Sequence, residues 1–125
     1  MKFKRILSAL LTLTLLLSCI CIFTSAESES YTGVYNGYNY YCSGNVTKTS
    51  CSVYMSYADT STSIMTRSIY TYKITGNTVK TGVVRTTEKH IIHETPLPTD
   101  LVEFCSLTPE FFISGNSILR FHLGV

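Results

Sequence analysis

Apolar and polar residues alternate most clearly along residues 46–57. Thr47, Thr49, Cys51, Val53, Met55 and Tyr57 fall on one side of an extended chain, and Val46, Lys48, Ser50, Ser52, Tyr54 and Ser56 on the other. A period of two with one more apolar side describes a strand that covers a core on one face. Residues 58–62 then read as a polar turn and residues 64–74 as a second strand with a less decided face. Residues 79–87 form a third, with Val79, Thr81 and Val83 on one side. Residues 89–95 make a fourth, stopped by Pro96-Leu97-Pro98, whose prolines have no N–H to continue a ladder. Ser43-Gly44-Asn45, Thr75-Gly76-Asn77 and Ser114-Gly115-Asn116 share one form. Gly and Asn both tolerate positive φ, which two-residue hairpin turns require, so the last two are read as hairpin turns. Asp100-Leu101-Val102-Glu103 has the spacing of a helix cap and predicts a short helix over 100–106. Thr108-Pro109-Glu110 opens a further turn or leads into a last hairpin of residues 111–113 and 117–123. Short antiparallel strands at this spacing predict an all-β antiparallel β-sandwich, with a small up-and-down β-barrel as the alternative.

Composition changes meaning once the N-terminus is set apart. Lys2, Lys4 and Arg5 precede an uncharged apolar run over residues 6–23, and Thr24-Ser25-Ala26 supplies small residues behind it. This is the three-part pattern of a secretory signal peptide cleaved after Ala26. Two alternatives stand beside cleavage: a membrane anchor formed by the uncleaved segment, and lipidation at Cys19 in Leu16-Leu17-Ser18-Cys19. Residues 27–30 are then a short polar lead and residues 31–125 a single domain. The whole chain carries ten Lys+Arg against eight Asp+Glu, for a net charge of +2. Residues 27–125 hold seven against eight, which is −1. A near-neutral domain of this size has no electrostatic reason to seek nucleic acid or anionic lipid, so membrane contact is expected only through the N-terminal segment. Residues 27–125 contain 15 Thr, eight Val, seven Ile and nine Tyr, against one Ala and five Leu. β-Branched and aromatic side chains suit a pleated surface, and good helix formers are scarce.

Three cysteines remain after residue 26: Cys42, Cys51 and Cys105. Three thiols cannot all pair within one chain. A tight turn at Gly44-Asn45 sets residue 42 opposite residue 47 and leaves Cys51 about 13 Å away, beyond the reach of a disulfide. A wider loop closed by Cys42–Cys51 is the favoured arrangement, which leaves Cys105 as a free or intermolecular thiol. His90-Ile91-Ile92-His93-Glu94 is the cluster closest to a metal site, with His122 as a possible third ligand. On a strand, however, residues i and i+3 point to opposite faces. No nucleophile elbow, His-Glu-Xaa-Xaa-His or phosphate-binding glycine loop is present, and no cofactor is expected. Asn45-Val46-Thr47 is an acceptor for N-linked sugar in a eukaryotic source.

Tyr31, Tyr35, Tyr38, Tyr40 and Tyr41 crowd into eleven residues. Tyrosine offers a large flat contact area and a hydroxyl at low entropic cost, so these five are the candidate ligand-binding residues. Tyr31-Thr32-Gly33-Val34-Tyr35-Asn36-Gly37-Tyr38, followed by Cys42 and a Ser/Thr-rich alternating strand, resembles small secreted β-sheet proteins of Gram-positive bacteria over residues 1–72. That resemblance implies a secreted β protein and supplies no catalytic residue. The expected function is a small secreted, non-enzymatic binding module, extracellular or associated with the envelope, with carbohydrate or protein as partner. A bacteriocin-like secreted effector is the alternative, and a metal-dependent hydrolase using His90 and His93 the third reading.

Overall fold

Cys51, Val53, Met55 and Tyr57 are buried in turn while Ser52, Tyr54 and Ser56 between them face outward, as the alternation predicts. The computed structural model describes residues 26–75, 78–99 and 101–125. The signal segment, Cys19, Gly76-Asn77 of one expected turn and Asp100 of the expected cap lie outside the described residues. The strands are β1 (Ala26–Tyr35), β2 (Tyr38–Thr47), β3 (Cys51–Tyr57), β4 (Ser63–Ile74), β5 (Thr78–Lys89), β6 (Ile91–Glu94), β7 (Glu103–Ile113), β8 (Asn116–Arg120) and β9 (Leu123–Gly124). They build two antiparallel sheets, β1-β2-β3-β6 and β5-β4-β7-β8, with β9 also on β7. The sheets pack face to face as a β-sandwich with open edges and do not close into a barrel. The chain changes sheet between β3 and β4, β5 and β6, and β6 and β7. The up-and-down alternative fails because of those crossings.

Turn chemistry decides the register. Asn36 and Gly37 have φ of 49° and 82°, and Ser114 and Gly115 have 50° and 79°. Positive φ at both central residues matches the twist of a two-residue hairpin, and the flanking pairs are Tyr35↔Tyr38 and Ile113↔Asn116. The Ser114-Gly115 turn is where the sequence places it; Asn36-Gly37 joins β1 to β2 without having been singled out. The continuous strand expected over residues 46–57 is instead broken by a turn. Thr47 N–H donates to the Ser50 carbonyl at 2.7 Å, and Thr47 Oγ1 accepts from Ser50 N–H at 2.9 Å. Ser43-Gly44-Asn45 lies in mid-strand. A Cβ on Gly44 would stand 3.2 Å from both Pro109 and Phe121, so glycine here lets the second sheet approach β2 closely.

The expected helix near 100–106 is not formed: residues 103–106 open β7. Register shifts by one between Thr71↔Ser106 and Tyr72↔Phe104, which leaves Cys105 as the extra residue of a bulge. The buried positions Phe104 and Leu107 are therefore three apart, a spacing that imitates a helical face. Pro109 is tolerated because β9 pairs β7 at Ser106–Leu107 and β8 pairs it only from Glu110 onward, so no second ladder needs its missing N–H.

The strand over residues 64–74 buries Ile64, Thr66, Ser68, Tyr70 and Tyr72. Polar residues on its inner side explain its undecided pattern, and one side chain explains the polar residues. Glu94 of β6 is 5% exposed and sits between the sheets. Ser68 Oγ of β4 donates to its Oε1, and Thr86 Oγ1 of β5 donates to its Oε2 at 2.7 Å. Its own strand meanwhile pairs with Val53 of β3. Replacing Glu94 by Ala leaves the buried Ser68 hydroxyl and the half-buried Thr86 hydroxyl without their acceptor and is expected to cost about 3 kcal/mol. Glu94→Gln keeps a polar partner and is expected to cost less, which urea unfolding of the two variants checks.

Candidate functional site

The five clustered tyrosines do not share a face. Residues 38, 40, 42, 44 and 46 of β2 point toward the second sheet, and residues 39, 41, 43 and 45 point away. Tyr40 therefore folds inward over Gly33 on the neighbouring strand, where no Cβ fits beneath its ring. Tyr35 and Tyr38 flank the Asn36-Gly37 turn and meet Tyr57 edge-on at 6.5 and 6.1 Å. The Tyr57 hydroxyl donates to the Tyr35 carbonyl at 2.7 Å, and Asn116 Nδ2 donates to the Tyr35 hydroxyl at 2.9 Å. These residues tie the two hairpin tips together across the sandwich. Tyr31 lies on the inner side of β1, 5.1 Å from the Phe121 ring. Its hydroxyl donates to Glu29 Oε2 at 2.6 Å, and that carboxylate holds the phenol above its ordinary range. Of the five, Tyr41 alone faces outward from the first sheet.

Tyr41 has neighbours that its position in the sequence does not disclose. The β2–β3 and β3–β6 registers line up Ser43↔Tyr54 and Tyr54↔His93. On the outer face, the Tyr41 and Tyr54 rings meet edge-to-face at 5.8 Å, and Tyr54 and His93 at 6.4 Å. An aromatic row thus crosses three strands. Tyr41 also separates two depressions. One, of about 730 Å³, is lined by Thr32, Val34, Ser56, Ala58, His90 and Ile91. The other, of about 380 Å³, is lined by Ser28, Glu29, Ser30, Ser43 and Asn45. The outward positions of β1, β2, β3 and β6 carry Ser, Thr, Asn, Tyr, Val, Ile and His, and no Asp, Glu, Lys or Arg. Such a face offers hydroxyls, amides and ring surfaces in alternating rows, without fixed charge. Asn45 stands exposed among them. Tyr54, the one aromatic on the polar side of residues 46–57, was the signal in the sequence for this row.

The three histidines are not brought together. His90 occupies the corner where the chain leaves the second sheet for the first, with φ of 46°. Its carbonyl accepts from Tyr57 N–H at 2.8 Å, while its Nδ1 is buried without a partner. A left-handed conformation at a non-glycine residue is strained, and here it turns the strand between layers. His93 is part of the outer aromatic row. His122 Nδ1 bonds Thr108 Oγ1 at 2.8 Å on the other sheet. Among the described residues no group of three or more His, Cys, Asp or Glu is placed to hold a metal ion. No family model matches this chain, and neither does any curated protein or solved structure.

Cys42, Cys51 and Cys105 are all free, so the expected Cys42–Cys51 bridge is not formed. Cys51 pairs with Val46 and Cys42 with Met55. Both thiols point into the core, but four residue pairs apart, about 13 Å along the ladder and out of bonding range. Burial pushes the Cys42 thiol up to about 12; burial and then the nearby Glu94 carboxylate do the same to Cys51. Both ordinarily ionise near 9.0. Above that pH the unfolded chain loses these protons while the folded chain keeps them. Their contribution to stability is therefore full below about pH 9 and falls as pH rises toward 12. Iodoacetamide at pH 8 is expected to modify the half-buried Cys105 first and to reach Cys42 and Cys51 only in denaturant. Peptide mapping by mass spectrometry with and without urea checks this.

Proposed function

We propose that this protein is a secreted, non-enzymatic binding module that engages a neutral, hydroxyl-rich ligand, a glycan chain, across the outer face of the β1-β2-β3-β6 sheet. One observation carries the reading: the Tyr41–Tyr54–His93 row crosses a face whose outward strand positions carry no fixed charge, with Glu29 the one carboxylate lining a depression beside it. Ring faces stack on the apolar faces of sugar rings, while hydroxyl and amide side chains exchange hydrogen bonds with sugar hydroxyls. Polyanions find no cation on this face to pair with. The depressions on either side of Tyr41 suit adjacent units of one chain better than a single small molecule held in a closed cavity. Secretion by way of the N-terminal signal would deliver the module to a compartment where such polymers occur.

Affinity electrophoresis through gels containing neutral polysaccharides, followed by calorimetry on any that retard the protein, tests this reading. Tyr41→Ala with Tyr54→Ala is expected to weaken binding about tenfold or more, at an energy of roughly 0.5–1.5 kcal/mol per lost aromatic contact. Tyr31→Ala, on the inner side of β1, is expected to leave it unchanged. Absence of binding to every neutral polysaccharide tried, or equal binding by the double variant, would overturn it.

A further inference from the structure

We infer that the outer face of the β5-β4-β7-β8 sheet binds a base-free polyanion, a linear chain bearing phosphate groups, along a row of three arginines. The near-zero net charge of residues 27–125 conceals an uneven distribution. Of their seven Lys and Arg, five point outward from this sheet: Arg67 and Lys73 on β4, Arg85 and Lys89 on β5, and Arg120 on β8. Among the described residues, Glu103 and Glu110 are the carboxylates on that side, so five charges against two leave the face at +3. Glu27 and Glu29 lie on β1 of the other sheet, and Glu94 lies between the sheets. Glu88, opposite the buried Ile64, points to the inner side.

Register gathers the arginines. The pairs Arg67↔Arg85, Arg67↔Glu110 and Glu110↔Arg120 form one row across all four strands. Spanning the sheet at its strand spacing, the row is about 14 Å long. Like charges directly opposite one another weaken a ladder, yet Arg67 faces Arg85. The carboxylate in the row does not relieve them. Glu110 Oε1 accepts from Arg67, and Glu110 Oε2 accepts from Ser117 Oγ at 2.9 Å. Among the described residues Arg85 and Arg120 form no ion pair, and both are exposed. A row that weakens its own ladder and leaves two guanidiniums without a counter-charge is a local conflict of the kind that binding sites retain.

Geometry selects the class of ligand. Guanidinium forks pair with phosphate oxygens through two parallel hydrogen bonds. Arg85 and Arg120 stand at the two ends of the row, so a single phosphate cannot reach both, whereas a chain of repeated charges can. Met65 and Phe112 on one side of the row, and Ile69 and Val83 on the other, lower the local dielectric and strengthen each pairing. Nucleic acid fits less well. Phe112 is the aromatic ring among the outward strand positions, and the Arg67 guanidinium lies over it at 5.8 Å, so bases find no stacking platform. A bilayer also fits less well, because the strands of a twisted sheet cannot all lie on one plane, while a flexible chain follows the row. The arginine row and the Tyr41 row lie on opposite outer faces of the sandwich, and neither needs the other's ligand.

Fluorescence anisotropy of end-labelled inorganic polyphosphate, titrated with the purified protein at rising salt, tests this. The unaltered protein is expected to bind at low salt and to release as salt rises, because binding displaces counterions. Arg85→Gln with Arg120→Gln is expected to weaken binding about tenfold or more and to flatten the salt dependence. Lys48→Gln, which removes a charge from the turn between β2 and β3, is expected to leave binding unchanged. Urea unfolding checks that the variants fold, and Arg85→Gln is expected to be no less stable than the unaltered chain because it removes a like-charge pair. Absence of polyphosphate binding, equal binding by the double variant, or an equal loss from Lys48→Gln overturns the proposal. So does tighter binding to oligothymidylate or to phosphatidylglycerol vesicles at equal phosphate concentration, or full competition by the same amount of orthophosphate. Tyr41→Ala with Tyr54→Ala is expected to keep polyphosphate binding, so failure of one face is separable from failure of the other.

Discussion

Between two sheets of apolar side chains lies one carboxyl group, and the hydroxyls that satisfy it come from the opposite layer. Glu94 enters from β6, which pairs with β3, and receives hydrogen bonds from Ser68 on β4 and Thr86 on β5. A polar group in a low-dielectric interior is costly unless its partners are in place, and it then tolerates little sliding of one sheet over the other. Apolar contacts alone do not set such a register, because they are non-directional. β6 has four residues. The left-handed turn at His90 that feeds β6 is strained, and it is held by the neighbouring Tyr57 N–H and by the Glu94 contacts four residues on.

The same layering sorts the aromatic residues. Where a glycine faces a tyrosine across a strand pair, the ring lies flat over the glycine, as Tyr40 does over Gly33 and Tyr70 over Gly82. Gly44 serves the other direction and admits Pro109, Phe121 and Leu123 against the β2 backbone. Tyrosines with inward parity thus become covers, tip clasps and core, while Tyr41 and Tyr54, with outward parity, are left to meet whatever approaches the first sheet. Crowding in sequence, which singled out Tyr31 to Tyr41, says little about which rings share a surface. Parity within a strand and pairing between strands say it.

Several elements were legible because their causes are local. Alternation at residues 51–57 matched burial residue by residue, Ser114-Gly115 supplied a turn, and Pro96 and Pro98 followed the end of β6. Two misreadings have one physical origin, a local motif reused for a distant contact. Ser43-Gly44-Asn45 has turn chemistry, but its glycine is required by the opposite sheet. Asp100 to Glu103 has the spacing of a helix cap, but residues 103–106 are drawn into the ladder with β4. The bulge at Cys105 belongs to that ladder. The Cys42–Cys51 pairing failed for a related reason: the turn between β2 and β3 falls at residues 47–50, which offsets the two thiols by four pairs.

By itself the sequence determined that this is a β protein. Period-two patterning, abundant Thr, Val, Ile and Tyr, and scarce Ala and Leu bear on each residue's own backbone and on which side of a strand it faces. Tertiary structure alone decided which strands became neighbours, where the chain changes layers, and hence that Tyr41, Tyr54 and His93 stand in one row. Those residues are up to 52 positions apart along the chain. What joins them is inter-strand register, set by turns, a bulge and one buried carboxyl, and a local pattern carries no information about that.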